Sequence, residues 1–598
     1  MSRFLTSIHK IDEAELNTLK RRIDIATAVA IFFIAILVVR LWYLQIQRGD
    51  DYAQLSENNR IRAQDLSAPR GNIIDRQGRI IVTNRPCFNI VWVREDAPNP
   101  DAVLKKLAHI LHEDISVLLE RIRSSADHPR YMPFRLREDI DWRTLVYIEN
   151  LRLDLPGVRI EVLPNREYRH GNLASHLIGY LGQINPKELE KHAQDNYAPD
   201  DRLGKQGIEK LHEKQLRGEK GRKYLEVDVH GFEQRQIRTK EPLPGDDLQL
   251  TIDIDLQEAA EKAMKGKAGA VVAMDVNSGK MLVLASTPPM QLDEFVGGIS
   301  TKAWKAMLNN PMHPLINKAI QGQYPPGSTY KIITALAGLN EGIVTPDTIV
   351  YCNGSYTFGN RKYGCWKKTG HGPVNMRRAL KESCDVYFYQ LGQKLGVKTL
   401  AKYAQNLGLG TKTGITLENE KPGLTPTDEW KRKRHKESWQ EGETLSVAIG
   451  QGFNLATPLQ VCRMTATIAN GGILFRPQLL EAITDPDGKQ IEPFSPIIDG
   501  HALGQPEQLA LIRDALKAVV NEQHGTGNAA RLKNISVGGK TGTAQVIHLS
   551  KYQDANDEDI PYKYRDHAWF TCFAPTENPE IAVTVLIEHG GHGGSAAG

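Results

Sequence analysis

An α+β protein behind a single membrane-spanning helix is what the sequence predicts, on three observations. Residues 25–46, IATAVAIFFIAILVVRLWYLQI, are long and apolar enough to cross a bilayer. Residues 47–245 alternate strand-like and helical runs and hold no catalytic constellation. From about residue 246 onward, strand patterns stand at both ends of the segment with helical ones between, so one sheet joins its beginning to its end. These observations set the boundaries: a tail at 1–22, a span at 23–46, a non-catalytic domain at 47–245 with a head insertion at about 95–165, and a C-terminal domain at 246–598.

Lys20, Arg21 and Arg22 press against the apolar run, which leaves the short N-terminus in the cytoplasm and everything after residue 46 outside. Trp42 and Tyr43 suit the far interface, where Arg40 snorkels toward the headgroups. A cleaved signal peptide is the rival reading, but no small-x-small cleavage site follows the run. A buried core helix would need a polar face, which this run lacks. The rest of the chain is ordinary globular protein at 24% charged residues, and 75 basic against 71 acidic side chains give no electrostatic case for nucleic acid.

Residues 49–66 read as a polar helical or extended stalk, and 68–93 as paired strands, β-branched runs separated by turn residues. Helical periodicity fills DAVLKKLAHILHEDISVLLERI before the strand GVRIEVLP, and residues 166–245 return to strands and turns. LPGDDLQLTIDIDLQEAAEKAM then opens the C-terminal domain, strand first and helix second. Asn277-Ser278-Gly279 marks a hairpin within 269–286. Helices are expected around Ser328, over Met376–Leu395 and over 457–470, and strands in ISVGGKTGTAQVI, HAWFTCFAP and IAVTVLIEH.

The segment YPPGSTYK places Ser328 three residues before Lys331 at the start of the apolar KIITALAGL. Ser328 as a helix cap and Lys331 as a surface base would explain both, and Ser7–Lys10 repeats the spacing in the tail. The pair rises above chance because two further motifs stand downstream in a fixed order, Ser383-Cys384-Asp385 and then Lys540-Thr541-Gly542. Lys368-Thr369-Gly370 and Lys412-Thr413-Gly414 match the last triplet too, but only Lys540 stands in a strand pattern. A serine hydroxyl needs a base, and a desolvated lysine one helical turn away, its pKa lowered, can serve while neutral. The unpaired N–H groups of a helix start favour developing negative charge, so the Ser328 amide can donate half of an oxyanion hole and a neighbouring strand the other half.

S-x-x-K, S-x-[ND] and K-T-G in this order resemble the penicillin-recognising serine acyltransferases. PRGNIIDRQGRIIV, GKQGIEKLHEKQLRG and SVAIGQGFNLATPLQ extend the likeness along nearly the whole chain, to the elongation-type class B high-molecular-weight penicillin-binding proteins. The resemblance implies one membrane anchor, an elongated pedestal of the dimerisation type, and a transpeptidase domain with the serine β-lactamase fold, an antiparallel sheet flanked by helices. It implies Ser328 as nucleophile, Lys331 as its base, Ser383 as proton relay and Lys540 as the positive charge that orients the relay. It also implies Thr541, Gly542 and Thr543 along the substrate carboxylate, with the Thr543 N–H as the second oxyanion donor. Asp385 stands where the family usually has Asn, and an ionised acid cannot donate as an amide does, although the elongation branch often carries S-x-D.

The implied activity is peptidoglycan DD-transpeptidation, without a cofactor for the chemistry, in a periplasmic domain on the bacterial inner membrane. Stem peptides and β-lactams are the implied ligands, and a RodA-type glycan polymerase with other elongation-complex proteins the implied partners. A division-type transpeptidase is the nearest rival. A carboxypeptidase or β-lactamase would not need residues 49–245, a lactam sensor would need more spans, and a scaffold would take no penicillin. The family's fold usually ends in a helix on the sheet, whereas this sequence stops at GGSAAG, so either that helix is missing or the chain is cut short.

Of six cysteines, Cys87, Cys462 and Cys572 read as buried hydrophobes. Cys352, Cys365 and Cys384 gather with His371 around the second motif. Three readings stand: a closed structural zinc set, a Cys352–Cys365 disulfide, or inert thiols. A metal here would tie the 350–372 loop to the helix after Ser383.

Overall fold

The computed structural model describes residues 13–50, 61–124, 133–199, 201–227, 233–546 and 560–598. The Ser7–Lys10 decoy, the first part of the tail and stalk residues 51–60 lie outside the described residues. The chain forms two compact units, one holding the residues up to Ser67 with Lys220–Pro242, the other Ala68–Glu219 with Leu243–Gly598.

In the first unit the helix Glu13–Trp42 continues into a π-helical turn, Tyr43–Gln47. Leu16–Gln47 is long and apolar enough to cross a membrane. The helix starts ten residues before the expected boundary at 23, because Glu, Leu, Lys and Arg upstream of the apolar run are all strong helix formers. The Arg40 guanidinium lies 5.4 Å from the Tyr43 ring centroid. The end of the stalk is strand: Ile61–Leu66 pairs antiparallel with Gly221–Val227, which pairs with Glu233–Lys240.

In the second unit a long strand, Ile80–Trp92, pairs antiparallel with Val158–Tyr168 from Val82 opposite Tyr168 to Trp92 opposite Val158. Helices Pro100–Leu111, Ile115–Ser124 and Trp142–Asn150 lie between the two strands in sequence. They bury Leu104, Leu107, Leu118 and Ile148 with Ile90 and Trp92 in a small core of their own. The side chains of Asn99 and Asp141 cap the first and third by accepting from backbone N–H groups three residues on.

The structure corrects two expectations. Residues 166–245 are not only strands and turns: Ser175–Ile178, Pro186–Lys191, Gly207–Leu211 and Glu213–Leu216 are helical. Four to six residues are too few to display a 3.6-residue period, so only the Asn185–Glu188 capping box gives a local signal. Asp247–Leu250, the expected first strand of the C-terminal domain, does not enter its central sheet. It pairs with Ile73–Ile74 on one side and Leu480–Thr484 on the other, since a four-residue alternating pattern shows one buried face without naming the sheet that covers it.

The central sheet runs Met281–Thr287, Gly269–Asp275, Ile581–Ile587, His567–Ala574, Gly538–Ala544, all antiparallel, and so joins the beginning and end of the domain as the sequence predicts. The helix Pro458–Ala469 packs against it and is buried at every position, Gln460, Arg463 and Thr467 included. Thr457 and Gln460 close its first turn as a capping box.

A buried ionic cluster holds the start of this unit together. Glu209, with no exposed surface, accepts from Arg166 Nε at 2.7 Å and Arg70 Nη2 at 2.9 Å, and Arg70 also pairs with Glu213 at 2.8 Å. Arg166 donates further to the Gly71 carbonyl at 2.8 Å. Burial alone would raise the Glu209 pKa; Arg166 and Arg70 together outweigh it and hold the carboxyl below its ordinary range. Residues distant in sequence are thereby locked at one point, with each charge answered by another.

Candidate active site

Ser328 sits in a tight 3-10 turn, Gly327–Tyr330, and the α-helix begins only at Lys331. Neither the turn nor the helix has a side-chain cap, so Ser328 is not a capping residue; it is Thr329 whose hydroxyl folds back onto the Pro326 carbonyl at 2.8 Å. Gly327 has φ +55°, and a Cβ there would meet the Thr543 carbonyl oxygen at 2.6 Å, so only glycine lets the turn lie this close to the Lys540 strand. Its N–H donates to the Gly450 carbonyl at 2.9 Å, and Trp569 Nε1 donates to that of Pro325 at 3.0 Å. The turn is therefore pinned to the sheet on one side and to the end of the helix Glu441–Ala448 on the other.

Lys331 is fully buried, and its ammonium donates to the Ser383 carbonyl at 2.9 Å, Ser383 Oγ at 3.2 Å and Asp385 Oδ1 at 2.7 Å. An ammonium has three donors, and these contacts use them. The expected meeting of Lys331 with the Ser328 hydroxyl is therefore not made: among the described residues no hydrogen bond joins the two.

Ser383 ends the helix Met376–Lys381 with φ +54°, the left-handed position that usually falls to glycine after a helix. Holding a serine there costs about 1–2 kcal/mol. That conformation carries its hydroxyl to Lys540 Nζ at 2.9 Å as well as to Lys331. Asp385 opens the next helix, Asp385–Asn406, where a carboxylate suits the positive end of the dipole. Its Oδ2 accepts from the Trp366 N–H at 2.9 Å, so both carboxylate oxygens are engaged inside the protein.

Lys540 lies in the strand Gly538–Ala544, without exposed surface. Burial, reinforced by the charge of Lys331 and partly opposed by Asp385, holds its pKa well below the ordinary lysine value. The Thr541 hydroxyl donates to Thr526 Oγ1 at 2.8 Å, while the Thr526 N–H reaches the Lys381 carbonyl at 3.4 Å, so the strand is tied to the Ser383 turn. Gly542 passes beside Pro326 and Thr329, where a Cβ would stand 3.0 Å from the Pro326 carbonyl oxygen. The Thr543 carbonyl accepts from Gln451 Nε2 at 2.9 Å. Both K-T-G decoys fall outside the strands: Lys368 opens a turn in which Gly370 has φ +79°, and Thr413 lies in a loop, buried against Glu420.

The three separated motifs thus form one cleft, with the Ser328 turn on the Lys540 strand and both lysines on Ser383. The penicillin binding protein transpeptidase domain matches residues 269–598, and the penicillin-binding protein dimerisation domain residues 65–250. The chain belongs to the penicillin-binding protein family.

Among the relatives of this penicillin-binding protein, the peptidoglycan D,D-transpeptidase MrdA of Acinetobacter baumannii is 37% identical over 98% of this chain and 87% of its own length. The enzyme of the same name from Escherichia coli K12 is 35% identical over 97% of this chain and 93% of its own. A penicillin-binding protein 2 from Helicobacter pylori, solved in complex with MreC, superposes with TM-score 0.76 at 32% identity, over 89% of this chain and 95% of that one. The Pseudomonas aeruginosa protein in complex with WCK 5153 gives TM-score 0.67 at 32% identity, over 90% and 94%.

Beside the cleft of this penicillin-binding protein, Cys352, Cys365, His371 and Cys384 are all buried, and their ligand atoms lie within 4.8 Å of one another. His371 Nδ1 is 3.6 Å from the sulfurs of both Cys352 and Cys365. All six cysteines are free thiols, so the disulfide reading does not hold. Cys352 pairs opposite Gly372 in a short ladder, and Cys384 immediately precedes Asp385, so the cluster joins the loop to the helix Asp385–Asn406. Three neighbours of the site escape motif reading: Trp366, Thr526 and Gln451. Only Trp366 carries a local signal, a large apolar ring in a polar stretch next to Cys365.

Proposed function

We propose that this chain is a serine DD-transpeptidase that cross-links peptidoglycan stem peptides in cell elongation, with Ser328 as its nucleophile. The observation that carries the reading is the placement of Ser383 Oγ between Lys331 and Lys540, beside the turn that presents Ser328. Ser328 Oγ bonds to the carbonyl carbon of the penultimate D-alanine, the C–N bond to the last D-alanine breaks, and the Ser328 proton travels to the leaving amine. Lys331, as the free amine rather than the ammonium, takes that proton, and Ser383 with Lys540 passes it on to the leaving nitrogen. A neighbouring amine then attacks the ester, loses its proton along the same path, and returns Ser328 to the free alcohol. The N–H groups of Ser328 and Thr543 stabilise the oxyanion, a donor pair whose loss costs about 100- to 1,000-fold per donor. Thr541, Gly542 and Thr543 hold the substrate carboxylate, and Asp385 positions Lys331. β-Lactams acylate the same serine.

The apolar helix anchors the enzyme in the inner membrane with its N-terminus cytoplasmic, since Lys20, Arg21 and Arg22 flank that end. A RodA-type polymerase supplies the glycan, and an MreC-like scaffold fits a chain so similar to the MreC-bound protein. Cys352, Cys365, His371 and Cys384 hold a structural zinc ion: three thiolates and an imidazole, buried and converging, match a closed zinc set, and His371 presents Nδ1 to the sulfurs. The metal supplies rigidity and no chemistry. Intact-mass spectrometry after penicillin, with Ser328→Ala as control, tests the enzyme reading; metal analysis of the same sample tests the zinc. A mass gain in the Ser328→Ala variant would refute the nucleophile, and a metal-free cluster would refute the ion.

A further inference from the structure

Trp366 is out of keeping with its surroundings. The residue is 59% exposed, yet it is held at three points. Its main-chain N–H donates to Asp385 Oδ2 at 2.9 Å, its indole Nε1 donates to the Glu382 carbonyl at 3.0 Å, and its ring meets His371 edge-on at 5.5 Å. The indole therefore lies along the backbone that carries Ser383. A large ring left in water loses the stabilisation of burial, and fixing it adds an entropy cost, so this arrangement contributes little to folding. A rigid, half-free tryptophan is instead the form of a recognition anchor.

We propose that Trp366 is a specificity-determining residue: its indole face forms the wall of the cleft beside Asp385. There it receives the apolar part of the acyl donor that precedes the terminal dipeptide. The inference rests on the transpeptidase reading, and adds which part of the substrate is recognised and by what. An aliphatic stem or an aromatic acyl group fits a π face, whereas the reacting amide and terminal carboxylate are served by polar groups elsewhere in the cleft. In a β-lactam the corresponding part is the acylamino side chain. The main-chain N–H that supports Asp385 is independent of the ring, so truncating the side chain leaves that hydrogen bond in place.

The test uses the full-length chain in detergent and two lactams: benzylpenicillin, with an aromatic acyl side chain, and 6-aminopenicillanic acid, with none. Acylation of Ser328 is followed by intact mass over time. Trp366→Ala should slow benzylpenicillin by about tenfold, the scale of one aromatic contact, and leave 6-aminopenicillanic acid within about twofold. Trp366→Phe should restore most of the difference. The change in tryptophan emission on acylation by benzylpenicillin should be larger in the wild type than in Trp366→Phe, the remainder coming from Trp569 beside the Ser328 turn. Equal slowing of both lactams would make Trp366 a support for the Ser383 turn and overturn the proposal, as would no slowing of either. If the wild type takes up neither compound, the transpeptidase reading itself fails and this inference with it.

Discussion

Lys540 Nζ lies 2.9 Å from the hydroxyl of Ser383, a serine held at φ +54° where a helix would ordinarily end on glycine. The backbone accepts a conformational penalty so that one oxygen can stand between two lysines. Stability and the proposed proton transfer therefore pull in opposite directions at this position.

Ser383→Gly separates the two. Glycine adopts the left-handed conformation without the Cβ clash, a gain that offsets the loss of the hydroxyl's contacts to Lys331 and Lys540, so the variant should stay close to the wild type in stability. Proton relay is lost, and penicillin acylation should fall by about 100-fold or more. Thermal unfolding and acylation kinetics of one preparation check both; a variant that is destabilised and still active would remove Ser383 from the relay.

Asp385→Asn converts this chain to the commoner form of the motif. The carboxylate accepts from Lys331 with one oxygen and from the Trp366 N–H with the other, but an amide has only one oxygen. Turned toward Lys331, it sets its NH2 against the Trp366 N–H and leaves that donor without an acceptor, at about 1–3 kcal/mol. Acylation should slow and the unfolding temperature should drop. Hydrogen exchange at the Trp366 amide locates the change, and an amide as protected as in the wild type would refute the assignment.

Much of this site is legible in the sequence because each motif is local. Lys540 stands out from Lys368 and Lys412 by its strand pattern alone, and the structure leaves both decoys outside the strands. What escapes is whatever depends on residues far apart or on backbone angle. Nothing in the order of residues marks Ser383 as left-handed, Thr526 as the partner of Thr541, or Arg70, Arg166 and Glu209 as one cluster. Lys331 is a related case: spacing puts it one turn from Ser328 but cannot show that its ammonium is committed to Ser383 and Asp385. The strand Asp247–Leu250 fails the same way, since alternation shows that one face is covered and not by which sheet.

Glu209 gives a stability prediction. Its carboxyl titrates below its ordinary range in the folded protein, so its contribution is fully present above the unfolded pKa of 4.5 and is lost as pH falls through the lower folded value. Glu209→Gln should cost about 3–5 kcal/mol at neutral pH by stranding Arg70 and Arg166 without their shared partner. The gap to wild type should narrow in acid. Unfolding followed across that range checks this; a gap independent of pH would mean the loss is one of packing.

Lys540 predicts the opposite trend. Its folded pKa lies well below 10.5, so the unfolded chain binds the proton more tightly than the folded one between the two values. Stability should therefore rise with pH across that window, the cost of burying the charge being greatest below the folded pKa. Lys540→Met keeps the length and apolar stem of the side chain and removes the charge. It should unfold at a higher temperature than the wild type at neutral pH, with an advantage that shrinks as the pH approaches 10.5, while acylation of Ser328 is strongly slowed. Calorimetry at several pH values measures the trend. A Lys540→Met protein less stable than the wild type at every pH would mean that the contacts to Ser383 and the Thr541 carbonyl outweigh desolvation, and that this lysine stays charged in the resting enzyme.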